Sequence, residues 1–398
     1  MNRAAWLVLA RAVSQAGDVL FRVVAASAAA EATHSTWLTG LVLVGPAIAS
    51  LATGGRLFAD PSPQRVLRLG VAIEIARAAL FAIVALSPSW PVVVLVLVAS
   101  GAVQPAFDGA YGAAFATLHQ GGPSARRLNA ILRVGTLVLC LAASLAAPSF
   151  AASLTKAASL DALSFLSSGI ALFAASRAIV TLPPPSEASA PEPPNDAAAR
   201  ASAIVAVYAS AAVGLAIAAP SLVLASHDAM PALDTARAYA CYTAAVQAGS
   251  LAGALWSLVD ARSLRMRAVV SLGVAVGAQA AIAVGNVAIL FLVATAISAL
   301  AETRLAVELG ARVQSLPARA CAELLLRFRG ALAAIAAGGL VVNVLIAPHL
   351  PPSCVVALAS GLGAALALLT TAWRRSTNRG GPSSRRPEPR TPHGKSAR

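Results

Sequence analysis

The chain has 398 residues, of which 58% are hydrophobic and 12% charged, and its mean hydropathy is +0.76. A soluble domain carries about 25% charged residues, so this composition excludes a soluble globular enzyme, a disordered chain and a disulfide scaffold. The net charge of +14 has no basic–aromatic module beside it, so nucleic acid is not an expected partner.

The apolar runs predict an all-α membrane protein with twelve helices, near 5–29, 36–59, 67–87, 90–118, 128–151, 158–182, 203–226, 236–259, 267–285, 287–308, 322–347 and 353–373. Each is long enough for a hydrocarbon core about 30 Å thick. Pro61-Ser62-Pro63, Gly121-Gly122-Pro123, Gly285-Asn286 and Pro351-Pro352 punctuate the breaks. Arg11, Asp18 and Arg22 interrupt the first run, which reads as a retained helix and not as a cleaved signal. With that helix starting inside, the cytoplasmic gaps hold Arg65, Arg68, Arg126, Arg127, Arg200, Arg262, Arg265, Arg267, Arg312 and Arg319, and the outer gaps only Lys156 and Arg237. This asymmetry predicts both termini in the cytoplasm.

Residues 183–200 carry six prolines in eighteen positions, the composition of a semi-rigid linker. The expected layout is a six-helix bundle over 1–182, a linker over 183–202, a second bundle over 203–373 and a disordered basic tail over 374–398. Eight basic residues against Glu388 would hold that tail near anionic lipid. The halves repeat one another: Gln120, Pro123 and Arg133 before the fifth helix are echoed by Gln314, Pro317 and Arg327, and Asp60 with Arg65 by Asp260 with Arg265. Parallel repeats of this kind are a transporter architecture.

Several motifs resemble the major facilitator superfamily, and within it the enterobactin-exporter-like branch. They are SQAGDVLF with Gly17 and Asp18, EIARAAL with Glu74 and Arg77, LDALSFLSS with Asp161, Ser164 and Phe165, and VQSLPAR after the tenth helix. The loop GRLFADPSPQR departs from the superfamily pattern Gly-x-x-x-Asp-Arg-x-Gly-Arg-Arg, Leu97 stands where many proton-driven exporters carry a basic residue, and the fifth-helix Gly-Pro motif is reduced to Ala147-Pro148. The resemblance implies a monomeric secondary transporter of a bacterial inner membrane, exporting a drug, siderophore or secondary metabolite by antiport against protons. It also implies a cytoplasmic latch at Asp60, Arg65, Asp260 and Arg265. An uncoupled facilitator or importer of the same fold is the alternative, and a transport-inactive scaffold another.

A charge at mid-bilayer costs at least about 2.5–3.5 kcal/mol, so each one needs a reason. Asp18 lies near the middle of the first helix, either as a cavity carboxylate that takes up and releases a proton or meets a cationic substrate, or as a partner of Arg22 four residues on. Asp108 in the fourth helix has Tyr111 one turn away and no basic neighbour. It is either a second proton carrier or a group reaching headgroup water. Glu74 with Arg77 is expected as a structural pair on a peripheral third helix, and Glu302 with Arg304 as a gate or snorkelling pair. Gln247 and Asn343 are uncharged candidates for substrate binding or for helix–helix contact. Cys140, Cys241, Cys321 and Cys354 read as buried apolar residues. No His, Cys or carboxylate spacing suggests a metal, cofactor or catalytic centre.

Overall fold

The structure, a computed structural model, describes residues 3–53, 63–118, 123–179, 205–206, 209–210, 212–259, 288–313 and 318–379. The helices are α1 (Arg3–Thr33), α2 (Thr36–Thr53), α3 (Pro63–Leu86), α4 (Trp90–Leu118), α5 (Pro123–Ala146), α6 (Leu154–Ile179), α7 (Leu222–Ala229), α8 (Thr235–Val259), α9 (Ala288–Val313), α10 (Ala318–Ile346) and α11 (Pro352–Arg379). Among the described residues every element is helical. The expected ninth span at 267–285 and the linker at 183–202 lie outside the described residues, as does the tail beyond residue 379. Within the tail assigned to disorder, α11 runs on through Arg374 and Arg375 to Arg379.

Local chemistry sets the breaks. His34 separates α1 from α2 with φ 48°, a left-handed conformation that a continuous helix cannot contain. Asp234 starts α8 by accepting the backbone N–H of Arg237 at 2.7 Å, which satisfies one of the amides every helix start leaves unpaired.

The halves meet through a reciprocal pairing. In each half the second long helix packs on the next-to-last helix of the other: α2 on α10, and α8 on α5. Within the first half, α6 packs on both α1 and α3, and α4 on both α2 and α3.

The polarity of the molecule is that of a membrane protein. Leu86 is 87% exposed, Ile170 68% and Leu95 67%, whereas Glu74 is 0% and Arg77 1% exposed. Apolar side chains outside and ion pairs inside suit a hydrocarbon solvent, where a charge must face the bundle interior. Six stretches are long and apolar enough to cross a membrane: Leu67–Leu86, Trp90–Phe107, Ala130–Phe150, Leu154–Arg177, Ala212–Ala229 and Ala288–Val307. α1 falls outside that set and carries Gln15, Asp18 and Arg22 in mid-helix. Of the cysteines expected to be buried, Cys140 is, Cys241 is partly so and Cys354 is exposed; a thiol facing lipid costs little.

Small residues bring helices to van der Waals distance where lipid gives no hydrophobic drive for association. Gly249 and Gly253, four apart on α8, lie against the backbone of Ala296 and Leu300 on α9. A methyl at Gly249 would meet the Ala296 carbonyl, and backbone cannot swing aside. Gly249→Ala is expected to cost about 1–3 kcal/mol of packing, read as a lower melting temperature of purified protein. A melting temperature equal to that of the parent chain would show that the α8–α9 seam can open without penalty.

Candidate functional site

The site grows from three helical stripes. On α1, Ser14, Gly17, Asp18 and Phe21 share one face; on α3, Glu74, Arg77 and Phe81; on α6, Asp161, Ser164, Phe165 and Ser168. Each set is spaced by three, four or seven residues, which places its members on one side of a helix. The packing of α6 against α1 and α3 turns the stripes towards each other.

Arg77 is at the centre. Its Nε donates to the Ser100 hydroxyl at 2.8 Å, and its Nη1 to Ser14 at 3.3 Å and Glu74 Oε1 at 3.2 Å. Its Nη2 donates to both oxygens of Asp18, at 2.9 and 2.8 Å. A guanidinium has five N–H groups, and these are five acceptors. Ser14 passes the contact on by donating to Glu74 Oε1 at 3.5 Å. The plane of Arg77 lies 3.9 Å from the Phe165 ring centre, and Phe165, Phe81 and Phe21 form an edge-to-face stack beneath it. This apolar floor keeps water from that side and adds a cation–π attraction.

Asp161 is fully buried beside this network. Ser164 donates to its Oδ1 at 3.1 Å, and Oδ2 has no hydrogen-bond partner among the described residues. Gly17 makes the approach possible: a Cβ there would run into Ser164 Oγ and Asp161 Oδ1.

The charges do not balance. Asp18, Glu74 and Asp161 are three carboxyls; Arg77 is one buried cation, and the second, Arg22, is only 4.0 Å from Asp18 with 39% of its side chain exposed. Even with Arg22 counted, one carboxyl is in surplus. An uncompensated carboxylate in low dielectric is costly, and a bound proton removes that cost.

The network reaches a cavity of about 250 Å³ between the halves. Arg22, Arg77, Ser100 and Gln104 supply polar lining, and Leu43, Pro46, Leu332 and Ala333 apolar lining. Leu332 and Ala333 come from α10 of the second half and the others from the first. Gly101 lets α4 touch the backbone of α2 at Pro46 next to this space.

The sequence-derived candidates therefore separate. Asp18, Arg22, Glu74 and Arg77 come together. The Asp18–Arg22 pair is present at 4.0 Å, and Arg77 at 2.8 Å is the closer partner of Asp18. Glu74 and Arg77 form the expected pair at 3.2 Å, on a helix that packs on α4 and α6; both side chains are buried, and Arg77 also reaches Asp18 on α1. Tyr111 is buried on α4 away from the cavity, stacked on Phe107, with the Arg11 guanidinium 5.5 Å from its ring centre. Asp108 is on α4 one turn before it. Asn343 is fully buried and donates to the Ile217 carbonyl at 2.7 Å and to Ser221 at 2.8 Å, a contact that ties α10 to the start of the second half. Gln247 is half-buried on α8. Arg304 lies 4.2 Å over the Trp256 ring, and Glu302 is exposed on the same helix. Of the latch residues, Arg65 sits in the first turn of α3, while Asp60, Asp260 and Arg265 lie outside the described residues.

Ser100 lies in no motif, and Ser14 opens SQAGDVLF without being one of its motif positions. Asp161 belonged to a motif, but its charge had not been weighed. The signal available was the run of polar residues at 161, 164 and 168, one helical face of an otherwise apolar segment.

No described protein family and no curated protein matches the sequence. Solved structures do. A bacterial homologue of the iron transporter ferroportin, in its outward-facing state with soaked iron, superposes with a TM-score of 0.62 at 14% identity, covering 95% of this chain and 100% of that one. A POT family transporter in complex with a thioalcohol-conjugated peptide gives 0.68 at 10% identity over 94% and 96%. The human organic anion transporter MFSD10 gives 0.62 at 15% identity over 93% and 100%. The chain has the major facilitator fold. Its two packed halves and the cavity between them are the frame of that fold, and the charged network lies in the first half at the cavity wall.

Proposed function

We propose that the chain is a proton-coupled secondary transporter that exports a small amphipathic molecule by alternating access. It works as a monomer in a bacterial inner membrane, with twelve helices and both termini in the cytoplasm. The alternation of Arg-rich and Arg-poor gaps supports that topology, and the basic tail supports contact with anionic lipid. Asp60, Arg65, Asp260 and Arg265 form the latch that closes the cytoplasmic side. Export is the direction implied by the first- and sixth-helix motifs.

The observation that carries the reading is the surplus carboxyl beside Arg77 at the wall of a cavity shared by both halves. A proton on Asp161 or Asp18 removes one negative charge from the network. Arg77 then holds α1, α3 and α6 together with a changed balance of attraction, and the packing of these helices governs which side of the cavity opens. Loss of the proton restores the first arrangement. The unpartnered Oδ2 of Asp161 is the natural resting place for that proton.

The test is efflux from cells stripped of their own pumps, loaded with a panel of dyes, antibiotics and siderophores, with and without a protonophore. Asp18→Asn and Asp161→Asn should each lower protonophore-sensitive efflux at least about tenfold, the effect of roughly 1.4 kcal/mol, at parental expression level. Asp108→Asn, on α4, is the comparison for a generic loss of charge in the membrane. Parental efflux from both network variants would remove these carboxyls from coupling and leave an uncoupled facilitator.

A further inference from the structure

We infer that the cavity between the halves binds the anionic head of its cargo, with Arg22 as the recognising side chain; this deepens the transporter reading and rests on it only for the cavity being the cargo site. The argument is one of hydrogen-bond supply. Both charged residues among the described residues lining the cavity are arginines, and no lining residue among them is acidic. The three carboxyls lie behind Arg77, outside the lining.

The two arginines are not equivalent. Arg77 is saturated, since its donors already meet Ser100, Ser14, Glu74 and Asp18. Its charge is offset by Asp18 and Glu74 beside it, and these contacts leave it no free N–H. Arg22 has donors to give. Among the described residues its ion pair is to Asp18 at 4.0 Å, the outer limit of such a contact, and 39% of its side chain is exposed. A guanidinium offers a planar fork that fits carboxylate, phosphonate or sulfonate oxygens side by side. Ser100 accepts from Arg77 and so keeps its own hydroxyl proton for an acceptor in the cavity.

The opposite wall sets the rest of the ligand. Leu43 and Pro46 on α2 and Leu332 and Ala333 on α10 are apolar. A volume of about 250 Å³ is below the range of about 300–1,000 Å³ that holds drug-sized ligands. The cargo class is therefore a small organic anion with a compact apolar body. Because the apolar wall is built from both halves and Arg22 from one, such a ligand bridges them, as a cargo of an alternating-access transporter must.

The experiment uses the purified full chain in nanodiscs and three matched sets that share an apolar body: benzoate, benzamide and benzylammonium, then the phenylphosphonate and naphthalenesulfonate sets with their neutral and cationic counterparts. Binding is read by calorimetry and by thermal stabilisation. At least one anion should bind, and its neutral and cationic counterparts should bind at least about tenfold more weakly. Arg22→Gln should lose that affinity by a similar factor and Arg22→Lys should recover part of it, each measured below its own unliganded melting temperature. Binding of the cations in preference, of no anion at all, or equal binding by Arg22→Gln would overturn the inference.

An anionic lipid headgroup shares this chemistry, so the titration is run in phosphatidylcholine and in phosphatidylglycerol nanodiscs. Equal affinity in both supports a free anion; loss of binding in phosphatidylglycerol would make the occupant a headgroup and overturn the cargo assignment. Anion binding with no proton-sensitive efflux would keep this site and remove the coupling. Proton-sensitive efflux of cations alone would do the reverse.

Discussion

Arg77→Gln is expected to remove most folded protein from the membrane. The substitution takes away the cation that Asp18 and Glu74 share and the N–H groups from which Ser14 and Ser100 accept, in a site that is almost closed to water. Removing one member of a buried ion pair costs about 3–5 kcal/mol, because the remaining charge keeps its desolvation penalty. That is a large share of the 5–15 kcal/mol by which a typical protein is stable. Detergent extraction followed by size-exclusion chromatography reads the outcome as loss of the monodisperse peak. The triple variant Asp18→Asn, Glu74→Gln, Arg77→Gln should recover much of that peak, since amides replace the charges with groups that hydrogen-bond one another. It should not recover proton-linked efflux. A monodisperse Arg77→Gln with parental melting temperature would mean that the carboxyls are already neutral without the arginine.

Gly17→Leu should be nearly as damaging, for a steric reason. A Cβ at this position would lie 2.7 Å from Ser164 Cβ and closer still to Ser164 Oγ and Asp161 Oδ1. Those side chains are short and sit on a helix packed along both α1 and α3, so they have no slack to yield. Overpacking of this kind costs about 1–3 kcal/mol and sometimes more, and a leucine adds three further carbons to a seam already closed. The same displacement breaks the Ser164–Asp161 hydrogen bond and moves the candidate proton site relative to Asp18. Gly17→Ala should fall between parent and leucine in melting temperature and should lose efflux before it loses folding. Equal efflux and stability in all three proteins would mean that α1 and α6 are not held at this distance in the working transporter.

These expectations depend on contacts of unequal visibility in the sequence. The helical class and the pairing of charges inside the membrane were legible, because each follows from one-dimensional quantities. Run lengths are set by bilayer thickness, and an ionisable residue in an apolar run must find a polar neighbour. Glu74 with Arg77, three apart in EIARAAL, were visible as a pair for that reason.

The partner of Asp18 was not legible in the same way. Spacing along one helix offered Arg22, four residues on, whereas the closer cation comes from 59 positions away. A single chain records which residues share a face but not which faces meet. The choice between Arg22 and Arg77 is made by the packing of α1 and α6 with α3, and that packing is permitted by the absence of a side chain at Gly17. The same packing turns Asp161 inward with one oxygen unmatched among the described residues, and it brings both Arg22 and Arg77 to the cavity lining. Sequence by itself thus determined that this is a membrane helical bundle with buried charge. The tertiary structure alone decided which charges compensate each other and which line the cavity, because electrostatic energy in low dielectric depends on distances of a few ångströms between helices far apart in the chain.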